Sequence, residues 1–149
     1  MNINKILYIY FKLMILKKLQ YSDYEQFHLL INDFRKTDFT LSQFKEFLDT
    51  EKNTEIYVIE SNNKLLGAGT ILFEKKFIHN ISLYAHLEDI IIKKEYQSNG
   101  YGKLLLENLI KICKEKNCFK ILLDCNKELI PFYQKCGFTL HSNQMVIYL

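Results

Sequence analysis

The strongest constraint on this chain is a change of periodicity across one glycine-containing loop. The apolar run Ile90-Ile91-Ile92 is followed by Gln97-Ser98-Asn99-Gly100-Tyr101-Gly102-Lys103, and then by Leu105, Leu109 and Ile112 at helical spacing. A buried strand handing over to an amphipathic helix, with a second apolar run at Ile121 to Cys125 beyond it, is a crossover unit that returns the chain to the same sheet. That unit places the chain among α/β folds with at least one parallel strand pair.

The remaining elements extend that sheet. Lys12 to Leu19 reads as a first strand. Ser22-Asp23-Tyr24-Glu25 and Thr40-Leu41-Ser42-Gln43 fit the capping box, so helices are expected at about Asp23 to Phe34 and Leu41 to Thr50. Glu55 to Ser61 and Lys64 to Phe73 are apolar runs joined by Asn62-Asn63, residues that tolerate the positive φ of a hairpin turn. A polar break at Glu74 to Lys76 precedes a strand within Phe77 to Ile92. A long helix is expected over Gly102 to Lys116, a short one over Glu128 to Lys135, and a terminal hairpin or strand pair over Phe138 to Leu149. The order is β-α-α-β-β-β-α-β-α-β-β, and with no repeat, linker or composition shift, residues 1–149 are expected to form a single domain.

Composition removes several function classes. Lys+Arg 20 against Asp+Glu 17 gives only +3, evenly spread, so no nucleic-acid partner is expected. The four cysteines (Cys113, Cys118, Cys125 and Cys136) form no CxxC pair, which argues for free thiols in a reducing compartment and against a metal centre. Ile6 to Phe11 faintly resembles a signal peptide, but Lys12, Lys17 and Lys18 interrupt the run and no small-residue cleavage site follows. The expectation is a floppy start, no membrane partner and a cytoplasmic location.

Glycine-rich turns before a helix let backbone amides and the positive helix end hold a pyrophosphate without arginine. This chain has a single arginine, Arg35. The loop is not the NTPase phosphate loop, because Leu104 follows Lys103, and it lacks the third glycine of the dinucleotide fingerprint, where Leu105 stands. Glu88, Asp89 and Asp124 fall at the carboxyl ends of two adjacent strands, where they can bind an ammonium and accept its protons. Tyr133 can donate to a departing thiolate. Each carboxylate taken singly is more often a salt-bridging or solvated group, and Tyr133 is equally readable as a core aromatic.

Gln97-x-x-Gly100-x-Gly102 after such a strand resembles the acetyl-CoA loop of the GNAT acetyltransferase superfamily. Pro131-Phe132-Tyr133-Gln134-Lys135-Cys136-Gly137-Phe138 is similar to its C-terminal signature. His86-Leu87-Glu88-Asp89-Ile90, Cys118-Phe119-Lys120-Ile121 and Leu123-Asp124-Cys125 resemble the glucosamine 6-phosphate N-acetyltransferases of that superfamily. The resemblance implies a mixed, twisted sheet whose splayed central parallel strands admit acetyl-CoA as co-substrate, without a metal, in a homodimer. It implies Tyr133, Asp124 and Glu88 as catalytic residues. Lys76, His79, Glu88, Asp89, Phe119, Lys120 and Asp124 would bind the sugar phosphate, while Ile90, Ile91, Ile92 and Gln97, Ser98, Asn99, Gly100, Tyr101, Gly102 and Lys103 would hold the cofactor.

Three positions depart from that pattern: Ser98 replaces a loop glycine, Leu129 an asparagine, and Tyr148 a C-terminal arginine for which Arg35 is the available substitute. Two other readings stay open, an acetyltransferase for an aminoglycoside, polyamine or protein amine, and a non-catalytic acetyl-CoA-binding module. Met145 to Leu149 is the expected exchanged or docked strand of a dimer.

Overall fold

The computed structural model describes residues 14–149, so the Ile6 to Phe11 run and the Lys12 end of the expected first strand lie outside it. Five strands form one sheet in the order β1 (Met14–Lys18), β2 (Thr54–Ser61), β3 (Lys64–Lys76), β4 (Ser82–Ile92) and β5 (Lys120–Leu123). The first four pair antiparallel and β4 pairs parallel with β5. That single parallel pair is bridged by α3 (Tyr101–Glu115), the crossover helix. Helices α1 (Tyr24–Phe34), α2 (Leu41–Thr50) and α4 (Ile130–Lys135) complete the order.

Local chemistry accounts for most boundaries. Asn62 and Asn63 both take positive φ, 50° and 59°, as a two-residue hairpin turn between β2 and β3 requires. Thr40 caps α2, its hydroxyl accepting from the Gln43 amide at 3.2 Å while the Gln43 side chain accepts from the Thr40 amide at 2.8 Å. The Ser22 box does not form. Gln20 occupies the cap of a short 3-10 turn, Tyr21–Asp23, and its amide donates to Asp23 at 2.9 Å, so α1 begins only at Tyr24.

Two apolar layers cover the sheet. On one face Ile71, Phe73, Ala85 and Leu87 pack against Leu105, Leu106, Leu109 and Cys113 of α3 and Tyr133 of α4. On the other, Ile56, Val58, Ala68 and Ile91 pack against Phe27 and Leu30 of α1 and Phe44 of α2. Leu105, Leu106 and Leu109 are fully buried, each worth about 1.5–3 kcal/mol of transfer free energy. Burial pushes the Cys113 thiol up to about 12, which makes it an unreactive core group, and all four cysteines are free.

Two expectations are corrected. Glu74 to Lys76 is no break: β3 runs through it because Glu74, Lys75 and Lys76 pair with Tyr84, Leu83 and Ser82. The terminal hairpin does not form either. No strand follows β5, although Met145 to Leu149 has a strand-like apolar composition, because nothing among the described residues pairs with it; Met145, Ile147 and Tyr148 are 95%, 81% and 90% exposed. No helix among the described residues is long and apolar enough to cross a membrane.

Candidate active site

The site begins where the parallel pair comes apart. β4 and β5 are partners from Tyr84–Lys120 to Leu87–Leu123 and no further. Thr70 of β3 lies opposite Glu88 and Ala68 opposite Ile91, so Asp89 and Ile90 are inserted against Gly69 as a bulge. Asp89 takes φ 48° to make it. The bulge is accommodated from β3: a Cβ on Gly67 would fall 2.4 Å from the Ile91 carbonyl oxygen, and one on Gly69 would fall 2.9 Å from Ile90 Cδ1. No side chain fits the first of these places.

A groove of ≈ 840 Å³ follows β5 past this split and is lined by His86, Glu88, Lys120, Asp124 and Tyr133. Glu88 is exposed as a residue, yet loss of water around its carboxyl raises its pKa above the ordinary value, with the Asp124 and Asp89 charges acting the same way. Tyr133 is 8% exposed, with its ring edge-on to Phe132 (5.1 Å) and Phe138 (6.0 Å). Burial raises its pKa and keeps the phenol protonated; no hydrogen bond engages its hydroxyl among the described residues. A carboxylate whose pKa is raised is a better proton acceptor, and an unengaged phenol can give a proton. Asp89, one residue from Glu88, lines a different cavity of ≈ 660 Å³ between α1, α2 and the sheet, together with Thr70 and Arg35. The bulge thus sends two neighbouring carboxylates to two spaces.

Beside the groove lies the loop from Gln97 to Lys103. Ser98 and Gly100 both have left-handed backbone, φ 62° and 84°. The Gln97 side chain donates to the Ile92 carbonyl at 2.9 Å, and Asn99 donates to the Gln97 carbonyl at 3.0 Å. The first intrahelical amide is that of Leu104, bonded to the Gly100 carbonyl at 3.0 Å, so the amides of Gly102 and Lys103 project from the helix start. This donor set fits a pyrophosphate. A Cβ on Gly102 would meet Phe132 Cζ at 3.3 Å, so the missing side chain also lets α3 sit against α4 and Tyr133. Ile91 is 5% exposed and its side chain belongs to the core, while Ile90 and Ile92 pack on the α3 face.

Lys76, His79, Phe119 and Lys120, the last of which also lines the groove, gather around Tyr84. His79 stacks on Phe119 at 4.2 Å and Phe119 on Tyr84 at 5.7 Å, with the Lys76 and Lys120 Nζ atoms 5.3 Å and 5.0 Å from the Tyr84 ring centre. Tyr84 precedes Glu88 by four residues of β4, about 13 Å at the usual strand rise. Lys120 lines the groove together with Glu88 and Asp124, so it joins this charge cluster to the acids.

A comparison with known families completes the picture: the model of the acetyltransferase (GNAT) family matches residues 17–138. The chain belongs to the GNAT family. Its curated relatives include glucosamine 6-phosphate N-acetyltransferase 1 of Dictyostelium discoideum, 34% identical over 80% of each chain. The glucosamine 6-phosphate N-acetyltransferase of Candida albicans is 32% identical over 87% of this chain and 92% of its own. The crystal structure of the Arabidopsis thaliana glucosamine-6-phosphate N-acetyltransferase superposes with a TM-score of 0.83 at 31% identity, covering 91% of this chain and 97% of that one. GNAT enzymes take acetyl-CoA as co-substrate, and the splayed β4–β5 pair of this member is the GNAT arrangement.

Sequence reasoning missed three residues of this GNAT site. His86 lines the groove beside Glu88 and bonds Glu74 at 3.0 Å; its period-two spacing from Glu88 was the available signal. Gln144 donates to Asp124 at 2.6 Å, and Tyr84 organises the lysines; neither announces itself locally in the sequence. Of the departures, Ser98 stands at a left-handed position, while Leu129 (45% exposed) and Tyr148 make no polar side-chain contact among the described residues.

Proposed function

We propose that this GNAT enzyme moves the acetyl group of acetyl-CoA to the amine of D-glucosamine 6-phosphate, with Glu88, Asp124 and Tyr133 performing the proton chemistry. The observation that carries the assignment of roles is the meeting of a raised-pKa carboxyl, a second carboxylate and an unengaged phenol in one groove beside the anion-binding loop. Asp124 and Glu88 bind the ammonium and take its proton. The freed amine nitrogen forms a bond to the thioester carbon, the carbon–sulfur bond breaks, and Tyr133 supplies a proton or a hydrogen bond to the departing thiolate. Loop amides from Gln97 to Lys103 hold the pyrophosphate, and backbone groups of Ile90 to Ile92 align the arm that carries the acetyl group.

Lys76, His79, Phe119 and Lys120 bind the sugar phosphate, with Lys120 facing the groove that holds the acids. The enzyme acts as a homodimer in the cytoplasm. Two features support that assembly: among the described residues β5 is a sheet edge with no partner on its outer side, and the apolar segment Met145 to Leu149 is exposed. The test is release of free thiol with glucosamine 6-phosphate beside unphosphorylated glucosamine. Strong preference for the phosphate ester is expected, and equal kcat/KM for the two defeats the substrate assignment. Sedimentation velocity should give a dimer; a monomer at working concentrations refutes the assembly.

A further inference from the structure

Resting on that reading of the substrate, we infer that Tyr84 is a positioning residue that holds Lys76 and Lys120 together as a receptor for the phosphate dianion. Two ammonium groups repel one another, yet here both Nζ atoms lie within 5.3 Å of one ring centre. The negative face of an aromatic ring is a surface that can attract both. Lys76 has one carboxylate partner, Glu74 at 2.9 Å, which is itself shared with His86 at 3.0 Å. Lys120 has no ion pair among the described residues. Positive charge is therefore in excess at this station, and a phosphate monoester is the chemistry that balances it.

The ring is held to this task within an aromatic cluster. Tyr84 is 2% exposed and runs parallel, within about 22°, to Phe119 and His79. His79 reaches that stack from a turn in which His79, Asn80 and Ile81 all have left-handed backbone, φ 55°, 60° and 58°. Non-glycine residues in that region persist only where surrounding contacts enforce them. The Tyr84 hydroxyl is buried and has no hydrogen-bond partner among the described residues, so the aromatic ring rather than a polar contact is what this position supplies. That separates two substitutions that a purely structural role would treat alike.

The experiment measures KM and kcat for glucosamine 6-phosphate, glucosamine and acetyl-CoA in Tyr84→Phe, Tyr84→Leu and Tyr84→Met. Tyr84→Phe keeps the ring and should match the wild type. The two non-aromatic variants should raise KM for glucosamine 6-phosphate about 10-fold, with kcat, KM for acetyl-CoA and the rate with glucosamine unchanged. On a Lys76→Ala/Lys120→Ala background, Tyr84→Leu should add nothing further, since the ring acts through the lysines. An unchanged KM in Leu and Met variants, or full additivity in the lysine-free background, overturns the proposal. So does failure of both non-aromatic variants to fold, which makes Tyr84 a core residue. A wild type indifferent to the 6-phosphate overturns the substrate reading instead, and is recognised before any Tyr84 variant is compared.

Discussion

Replacing Ser98 by glycine should make the protein more stable. Ser98 has φ 62°, a conformation in which Cβ crowds the following carbonyl, and its hydroxyl makes no hydrogen bond among the described residues that would offset the strain. A side-chain-bearing residue loses about 1–2 kcal/mol there. Glycine regains it but gives back about 0.4–1 kcal/mol through the greater freedom of the unfolded chain. The expected net gain is about 0.5–1 kcal/mol, which for a chain of this length raises Tm by roughly 1–4 °C. Ser98→Ala is the control, because it deletes the hydroxyl and keeps Cβ, and should leave Tm unchanged. Calorimetric scans of the three proteins decide the matter, with acetyl-CoA titrations on the same samples expected to show tighter binding for the glycine variant as its amide approaches the pyrophosphate. A Tm for Ser98→Gly equal to or below that of Ser98→Ala refutes the argument from backbone strain.

Tyr133→Phe keeps both edge-on ring contacts and removes only an unbonded hydroxyl, so Tm should stay constant while kcat falls at least ~10-fold, about 1.4 kcal/mol of barrier; unchanged kcat in thiol-release kinetics would return Tyr133 to the core. Glu88 binds its proton more tightly in the folded than in the unfolded chain, so the native state holds more protons just above the ordinary value of 4.5 and stability declines as pH rises through that window. Glu88→Gln should abolish this decline in urea midpoints taken from pH 4 to 7 and lower kcat/KM by ~10²-fold or more; a midpoint profile identical to the wild type would show that the carboxyl is freely solvated.

Much of this architecture could be read locally because local forces decide it. Asn62-Asn63 dictates its own turn, and Thr40 with Gln43 its own helix start. Other features are settled by partners distant in sequence. Glu74 to Lys76 is polar enough to suggest a loop, but pairing with Ser82 to Tyr84 outweighs propensity. Met145 to Leu149 has the composition of a strand and, among the described residues, no strand to join. For the candidate site, the resemblance of the Gln97 to Lys103 loop and of the Pro131 to Phe138 signature marked the loop and Tyr133 as positions of interest. The division of Glu88 and Asp89 between two cavities was not legible, since it depends on a bulge whose cause sits on another strand.

That cause has a consequence for how the protein tolerates change. Gly67 lines neither cavity, yet any substituent there collides with the Ile91 main chain at 2.4 Å, whereas a methyl at Gly69 meets the movable side-chain ends of Leu109, Ile90 and Leu105. In a saturation library selected for acetyl transfer, position 67 should be as depleted as the acids themselves, and position 69 should accept alanine at reduced fitness. The reactive geometry is stored partly as vacant volume on a neighbouring strand, so the heritable specification of this centre extends beyond the residues that would be counted as touching its substrates.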